Sequence, residues 1–176
     1  MLVELRVSNF GIIEQIRWYP SQGLNVLTGE TGAGKSLVID AVETLLSGKA
    51  DGNVVRYGTD ETILEAVFDI TRQDIHSYLR ELLAENGLME SDENSLVISG
   101  GIRRQGRSTF RINGKAVSRE LLNRVGNLLV DIHGQSQHLS LLNRETHLDF
   151  LDAYAHTTEV RNEFGRKAAE LLQVEQ

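Results

Sequence analysis

Gly29, Gly34, Lys35 and Ser36 stand at the spacing G-x-x-x-x-G-K-[ST], with Glu30, Thr31, Gly32 and Ala33 between them. These residue types at this spacing can hold phosphate. Glycine lets the backbone curl so that successive N–H groups point at phosphate oxygens, where a β-carbon would obstruct. A helix opening directly from such a loop adds its unpaired N–H groups and its dipole to the attraction. Lys35 can reach the β- and γ-phosphates, and the Ser36 hydroxyl can take one position on Mg²⁺. On average residue usage, the four fixed positions recur by chance in a chain this long with probability on the order of 0.01. The pattern implies a nucleoside triphosphate as ligand, with Mg²⁺ as its counterion.

A loop of this kind works only between a strand and a helix, and the flanking residues suit both. Leu24-Asn25-Val26-Leu27-Thr28 is a short apolar run of strand character, and Leu37 to Leu46 carries apolar residues at helical spacing before Gly48. Upstream, Val3, Leu5 and Val7 alternate on one face of a first strand, which Ser8 to Gly11 should break. Residues 12–19 read as a second strand, and Pro20 to Gly23 turns the chain into the loop strand. The tight connection predicts an antiparallel pair between residues 12–19 and 24–28. The expected fold is therefore α/β, a mixed sheet with an antiparallel portion contributed by residues 2–28.

Farther along, 62–70 alternates as a strand, and 74–86 has helical spacing with Gly87 at its end. Strands are expected at 96–104 and 107–112, with Asn113-Gly114 as a hairpin turn. Ser118 should cap a helix running to about Asn127, and Leu128 to Ile132 reads as a buried strand. A helix around Arg144 to Tyr154 follows. From Thr157 a 3-4 spacing picks out Val160, Phe164, Lys167, Leu171 and Val174. That is a heptad seam of about two and a half repeats, or an ordinary amphipathic helix. No capping glycine or proline follows before Gln176. The domain division expected is 1–155 for the nucleotide-binding lobe and 156–176 for the beginning of a coiled-coil arm.

Composition narrows the class. A hydrophobic fraction of 40% over 176 residues is enough for a core, and the chain has no cysteine for disulfides or thiolate metal sites. Nothing resembles a signal peptide or a membrane span, so a cytoplasmic protein without a membrane partner is expected. The net charge of −7 gives no overall attraction to nucleic acid.

Several segments together resemble the RecN family of bacterial DNA repair proteins. They are Leu5-Arg6-Val7-Ser8-Asn9-Phe10, the run from Gly23 through Ser36, Ile112-Asn113-Gly114-Lys115 with Val117, and Val130-Asp131-Ile132-His133-Gly134-Gln135. That family is similar to the SMC proteins, whose ABC-type ATPase head is built from two halves separated in sequence by a coiled coil. The resemblance implies that Gly29 to Ser36 are the Walker A loop. It also implies that Gln135 is the Q-loop glutamine approaching Mg²⁺ and the attacking water, with Gln137 as the other candidate for that place. It implies ATP with Mg²⁺ as cofactor and DNA as a partner of the complete protein. A C-terminal half of the same head and a head-to-head homodimer follow from it, in a cytoplasmic, nucleoid-associated setting. Family members carry a Walker B aspartate, a catalytic glutamate and a signature motif after the coiled coil, and none of these is expected within residues 1–176. The chain alone is thus expected to be an inactive part of an ATPase acting in double-strand break repair and recombination.

Other readings stand beside this one. A nucleotide-dependent clamping module with slow hydrolysis would carry the same loop, as would a small-molecule kinase or a GTPase. Ser99-Gly100-Gly101 echoes the core of the ABC signature, but its strand-rich setting suggests a bulge or turn. His133 and His138 lack a third ligand for a metal. Arg103, Arg104, Arg107 and Arg111 could contact DNA phosphates or form a solvated hairpin face.

Overall fold

The computed structural model describes residues 1–30, 34–49, 51–71, 73–89, 93–132, 147–155 and 157–174. They fall into two compact units, Met1–Val130 and Asp131–Gln176.

The first unit is an α/β fold around a six-stranded sheet. The strands are β1 (Leu2–Phe10), β2 (Ile13–Trp18), β3 (Glu61–Asp69), β4 (Ser95–Arg103), β5 (Thr109–Ile112) and β6 (Lys115–Ala116). Their order is β2-β1-β3-β4-β5-β6, every described pair being antiparallel. Period-two alternation sets which face is dry. Leu5, Val7, Leu64, Ala66, Phe68, Leu96, Ile98, Ile102 and Ile112 are all fully buried. Helices α1 (Lys35–Ser47) and α3 (Arg119–Leu129) pack on this core, and α2 (Gln73–Glu85) packs against α3.

Local chemistry sets the element ends. Gly48 takes a left-handed conformation (φ 64°) and donates its N–H to the Thr44 carbonyl at 3.1 Å, closing α1. The Ser118 Oγ accepts from the Leu121 N–H at 3.2 Å and opens α3. Asn113 and Gly114 both have positive φ, 46° and 78°, the geometry of a two-residue hairpin turn. Asn113 also ties the turn to its surroundings, accepting from the Val97 N–H at 2.8 Å and donating to the Leu88 carbonyl at 3.1 Å.

Three expectations are corrected. Residues 12–19 do not pair with 24–28. Instead β2 folds back on β1 through the turn at Gly11 and Ile12, with Phe10 opposite Ile13, so β1 runs on past Ser8. Residues 24–28 join no described strand, and Leu24 and Val26 are 90% and 70% exposed. Leu128 to Ile132 is no strand either: α3 continues through Leu129, and Leu128 is exposed. Both runs have strand composition, but a strand is held by a hydrogen-bonding neighbour, and the described residues offer neither run one. Ser99-Gly100-Gly101 is neither bulge nor turn, because the β4 register is unbroken on both sides. Gly100 is required there because a β-carbon would come within 2.7 Å of the Phe110 ring.

The helix that carries the phosphate loop lies close against α3. At Gly126 a β-carbon would sit 2.9 Å from both the Cβ and the carbonyl oxygen of Leu46 in α1. A backbone carbonyl cannot move aside without shifting α1. Gly126→Ala is therefore expected to lower stability by about 1–3 kcal/mol, as overpacking does, despite the higher helix propensity of alanine. Chemical denaturation checks this, and an unchanged or raised midpoint would contradict it.

The opposite face of the sheet carries a charged network. Glu4 accepts from Arg6 Nε at 2.6 Å and Arg17 Nε at 2.5 Å, and Arg6 Nη1 also reaches Glu65 at 2.8 Å. The Arg6 hydrogen bond, opposed by partial burial and reinforced by Arg17 and Tyr19, lowers the Glu4 carboxyl from 4.5 to about 2. A carboxyl depressed in the folded state contributes stability above its unfolded value, and loses it as pH falls through the folded one. The advantage of the native protein over Glu4→Gln should thus be full above about pH 4.5 and shrink towards pH 2. Melting curves across that interval test it. A difference that stays constant with pH would count against the network.

In the second unit, α4 (His147–Ala155) and α5 (Thr158–Val174) meet at Asp152. Its carboxylate accepts from Thr157 Oγ1 at 2.8 Å and from Arg161 Nη1 at 3.1 Å. The seam residues Val160, Phe164 and Leu171 of α5 are more than half exposed.

Candidate nucleotide site

Five residues of the phosphate loop are described: Gly29 and Glu30 on its incoming side, and Gly34, Lys35 and Ser36 on its outgoing side. Thr31, Gly32 and Ala33 lie outside the described residues. Gly34 takes φ 87° and ψ 9°, left-handed, and is the residue from which α1 springs. A side chain there would be strained. Among the described residues no side chain caps α1, and no acidic residue occupies its first turn. Its first N–H groups, which have no partners within the helix, and the positive end of its dipole are thus left for an anion.

Lys35 opens the helix and its side chain turns back over the loop. Its Nζ donates to the Gly29 carbonyl at 2.6 Å and to the Glu30 carbonyl at 2.5 Å. An ammonium has three donors, so this contact uses two and holds the cation across the loop mouth. Ser36, one residue on, is exposed at the start of the helix. The loop is anchored from below, because Val38, Ala41, Val42, Leu45 and Leu46 of α1 are buried.

The turn between β1 and β2 borders the loop. A β-carbon at Gly34 would lie 3.8 Å from Ile12 Cδ1, and one at Gly11 would lie 3.3 Å from Leu37 Cδ1. Beyond this contact a groove of about 440 Å³ follows the flank of α1, between Leu37, Asp40 and Thr44 on one side and Asn53 and Val54 on the other. Burial, aided by Glu43, raises the Asp40 carboxyl above its usual value. The only mark of this groove in the sequence is that positions 37, 40 and 44 share one flank of a helix.

Of the other candidates, Gln135, Gln137, His133 and His138 lie outside the described residues. The arginines of the β4–β5 hairpin do not act together. Arg104 donates to the carbonyls of Val55, Arg56 and Thr59, pinning the loop before β3. Arg111 donates to the Gly114 carbonyl, and Arg103 lies 4.0 Å from Glu61.

An antiparallel sheet, a glycine loop opening onto a helix bedded on that sheet, and a lysine across the loop make up a lobe whose fold is that of solved SMC head domains. The SMC head domain of Pyrococcus furiosus, with an extended coiled coil and bound to the C-terminal domain of ScpA, matches it. Its TM-score is 0.70 at 18% identity, over 99% of this chain and 46% of that one. A structure described as showing ATP-driven dimerisation and DNA-stimulated activation of SMC ATPases matches with a TM-score of 0.56 at 18% identity. That match covers 72% of this chain and 78% of the other. The chain belongs to the AAA domain family AAA_23, whose model matches residues 4–175. The RecN resemblance is borne out as well: the DNA repair protein RecN of Halalkalibacterium halodurans is 43% identical over 155 residues, 88% of this chain. The chain spans about a quarter of the length of such relatives, 27% in this case.

Proposed function

We propose that this chain is the ATP-binding lobe of an SMC-like head that acts in DNA double-strand break repair and recombination. The observation that carries the reading is the phosphate loop: a left-handed Gly34 opening an uncapped helix, with the Lys35 ammonium placed across the mouth. ATP binds with its β- and γ-phosphates on the amides of the Gly29–Ser36 loop and on Lys35, which exchanges the Gly29 and Glu30 carbonyls for phosphate oxygens. Ser36 and Gln135 hold Mg²⁺, and Gln135 also orients the attacking water.

The rest of the machine follows from the same reading. Residues 24–28, which present Leu24 and Val26 to solvent, gain a strand partner from the C-terminal half of the head. The exposed seam of α5 begins a coiled-coil arm, so that 1–155 is the lobe and 156–176 the arm. Two heads close over ATP and reopen on hydrolysis, which moves the arms. Closure works as a switch because nucleotide bound between two heads stabilises only the closed state. The protein acts in the cytoplasm on the nucleoid, with DNA as its partner. The similarity to RecN and to SMC heads supports this assignment, as does the fit of the loop to triphosphate. Steady-state hydrolysis by the full-length protein, with and without broken DNA ends, tests it. DNA-stimulated turnover is the expected result, and nucleotide binding without any turnover would instead favour a clamping module.

A further inference from the structure

Between α1 and β3 the chain runs through residues 51–60, with one 3-10 turn at Gly52–Val54 as their regular structure. A stretch that makes few backbone bonds of its own must place its carbonyls on other groups. Arg104, just beyond the end of β4, takes three of them. Its Nε donates to the Thr59 carbonyl at 3.1 Å, and its Nη2 donates to the Val55 and Arg56 carbonyls at 2.7 Å each. Its backbone N–H donates to the Asp60 carbonyl at 2.9 Å. A β-carbon at Gly52 would sit 2.5 Å from the Arg104 carbonyl oxygen, so the two backbones are in contact there as well.

The held segment in turn holds the β1–β2 turn. The Gly11 N–H donates to the Val54 carbonyl at 2.7 Å, and the Arg56 N–H to the Asn9 carbonyl at 2.9 Å. Arg56 Nη1 donates to the Ile12 carbonyl. Ile12 is the last link, its Cδ1 lying 3.8 Å from where a β-carbon on Gly34 would stand.

We propose that Arg104 is a positioning residue for the phosphate loop: by holding residues 55–59 it sets Ile12 against Gly34. The inference rests on the reading of Gly29–Ser36 as a triphosphate site. Gly34 is left-handed and has no side chain to fix it, yet the amides that follow must point at phosphate together. A neighbour packed over it limits how far the loop can open. Ile12 is itself 62% exposed, so its side chain stays in place only as firmly as its backbone does. The guanidinium suits this task because its planar fork reaches three carbonyls in fixed geometry, where an ammonium is one point on a flexible stem. The influence passes through contact and not through charge.

Calorimetric titration of ATP and of inorganic tripolyphosphate into the full-length protein tests this. Arg104→Ala should weaken both about tenfold and by the same factor, because the contacts end on Gly34. Arg104→Lys keeps the charge without the fork and should recover little of the loss. Ile12→Ala should weaken both ligands as well, and adding Arg104→Ala to it should cost less than about a further twofold, as expected of residues acting in series. In steady-state turnover the KM for ATP should rise while kcat stays within about twofold. Arg111→Ala, on the same hairpin but donating to the Gly114 carbonyl, should leave binding within about twofold. Unchanged binding in Arg104→Ala would overturn the proposal, as would full rescue by lysine, a loss confined to ATP, or a fall in kcat at constant KM. Additive losses in the double variant, or an equal loss in Arg111→Ala, would overturn it too. Failure of the unsubstituted protein to bind tripolyphosphate would instead remove the phosphate-loop reading itself, before any substitution is made.

Discussion

Lys35→Ala in the full-length protein is expected to weaken Mg·ATP binding about a hundredfold, on the order of 3 kcal/mol. The substitution removes the cation that lies across the loop mouth, together with its charge-assisted hydrogen bonds to phosphate. The ammonium is already engaged by the Gly29 and Glu30 carbonyls, so part of its intrinsic strength goes to releasing them and the net loss stays near this figure. Stability should hardly change, because that contact lies at the exposed loop. Gln135→Ala is expected to behave differently. Its proposed partners are the metal and the attacking water, so affinity should stay within about threefold while turnover falls about a hundredfold. Calorimetry paired with a turnover assay distinguishes the two. Equal loss of affinity in both variants would contradict the separate roles.

The second large effect concerns the chain on its own. In-line attack on the γ-phosphate needs a positioned water and stabilised charge at the transition state, and the Walker A loop supplies part of that. The 176-residue chain is expected to bind ATP weakly and to turn over none measurably. It should also self-associate, since Leu24, Val26 and Leu27 form an exposed apolar run that no described strand covers. The substitutions Leu24→Ser and Val26→Ser should reduce that association in sedimentation experiments. The same pair in the full-length protein should impair hydrolysis if the run packs there as the proposed strand. Adding the C-terminal half of the head in trans should restore turnover. Vigorous hydrolysis by the isolated chain, abolished by Lys35→Ala, would show that the catalytic groups lie elsewhere.

The apolar runs at 24–28 and 128–132 mark where sequence and structure part. The alternation in 62–70 carries the burial pattern of β3 and of Ile70 just beyond it, because Leu64, Ala66, Phe68 and Ile70 are all buried. Gly48, Asn113-Gly114 and Ser118 announce their caps and turn because each needs a backbone or side-chain geometry that few residues supply. The apolar runs at 24–28 and 128–132 look just as much like strands. Whether such a run becomes one depends on a hydrogen-bonding partner, which composition does not reveal. The same limit applies within the site. The glycine spacing marks a candidate phosphate loop, but the slot between Leu37 and Val54 arises from segments apart in the chain. The clustered arginines follow the same rule, since only the folded chain shows that Arg104 serves the loop at Val55–Thr59.

The most direct test of the central claim is a crystal structure of the full-length protein with Mg²⁺ and a non-hydrolysable ATP analogue. The account predicts triphosphate on the amides around Gly34, Lys35 and Ser36, with Lys35 Nζ moved from the Gly29 and Glu30 carbonyls onto phosphate oxygens. Nucleotide bound elsewhere, or a triphosphate bound with Lys35 still on those carbonyls, would contradict it.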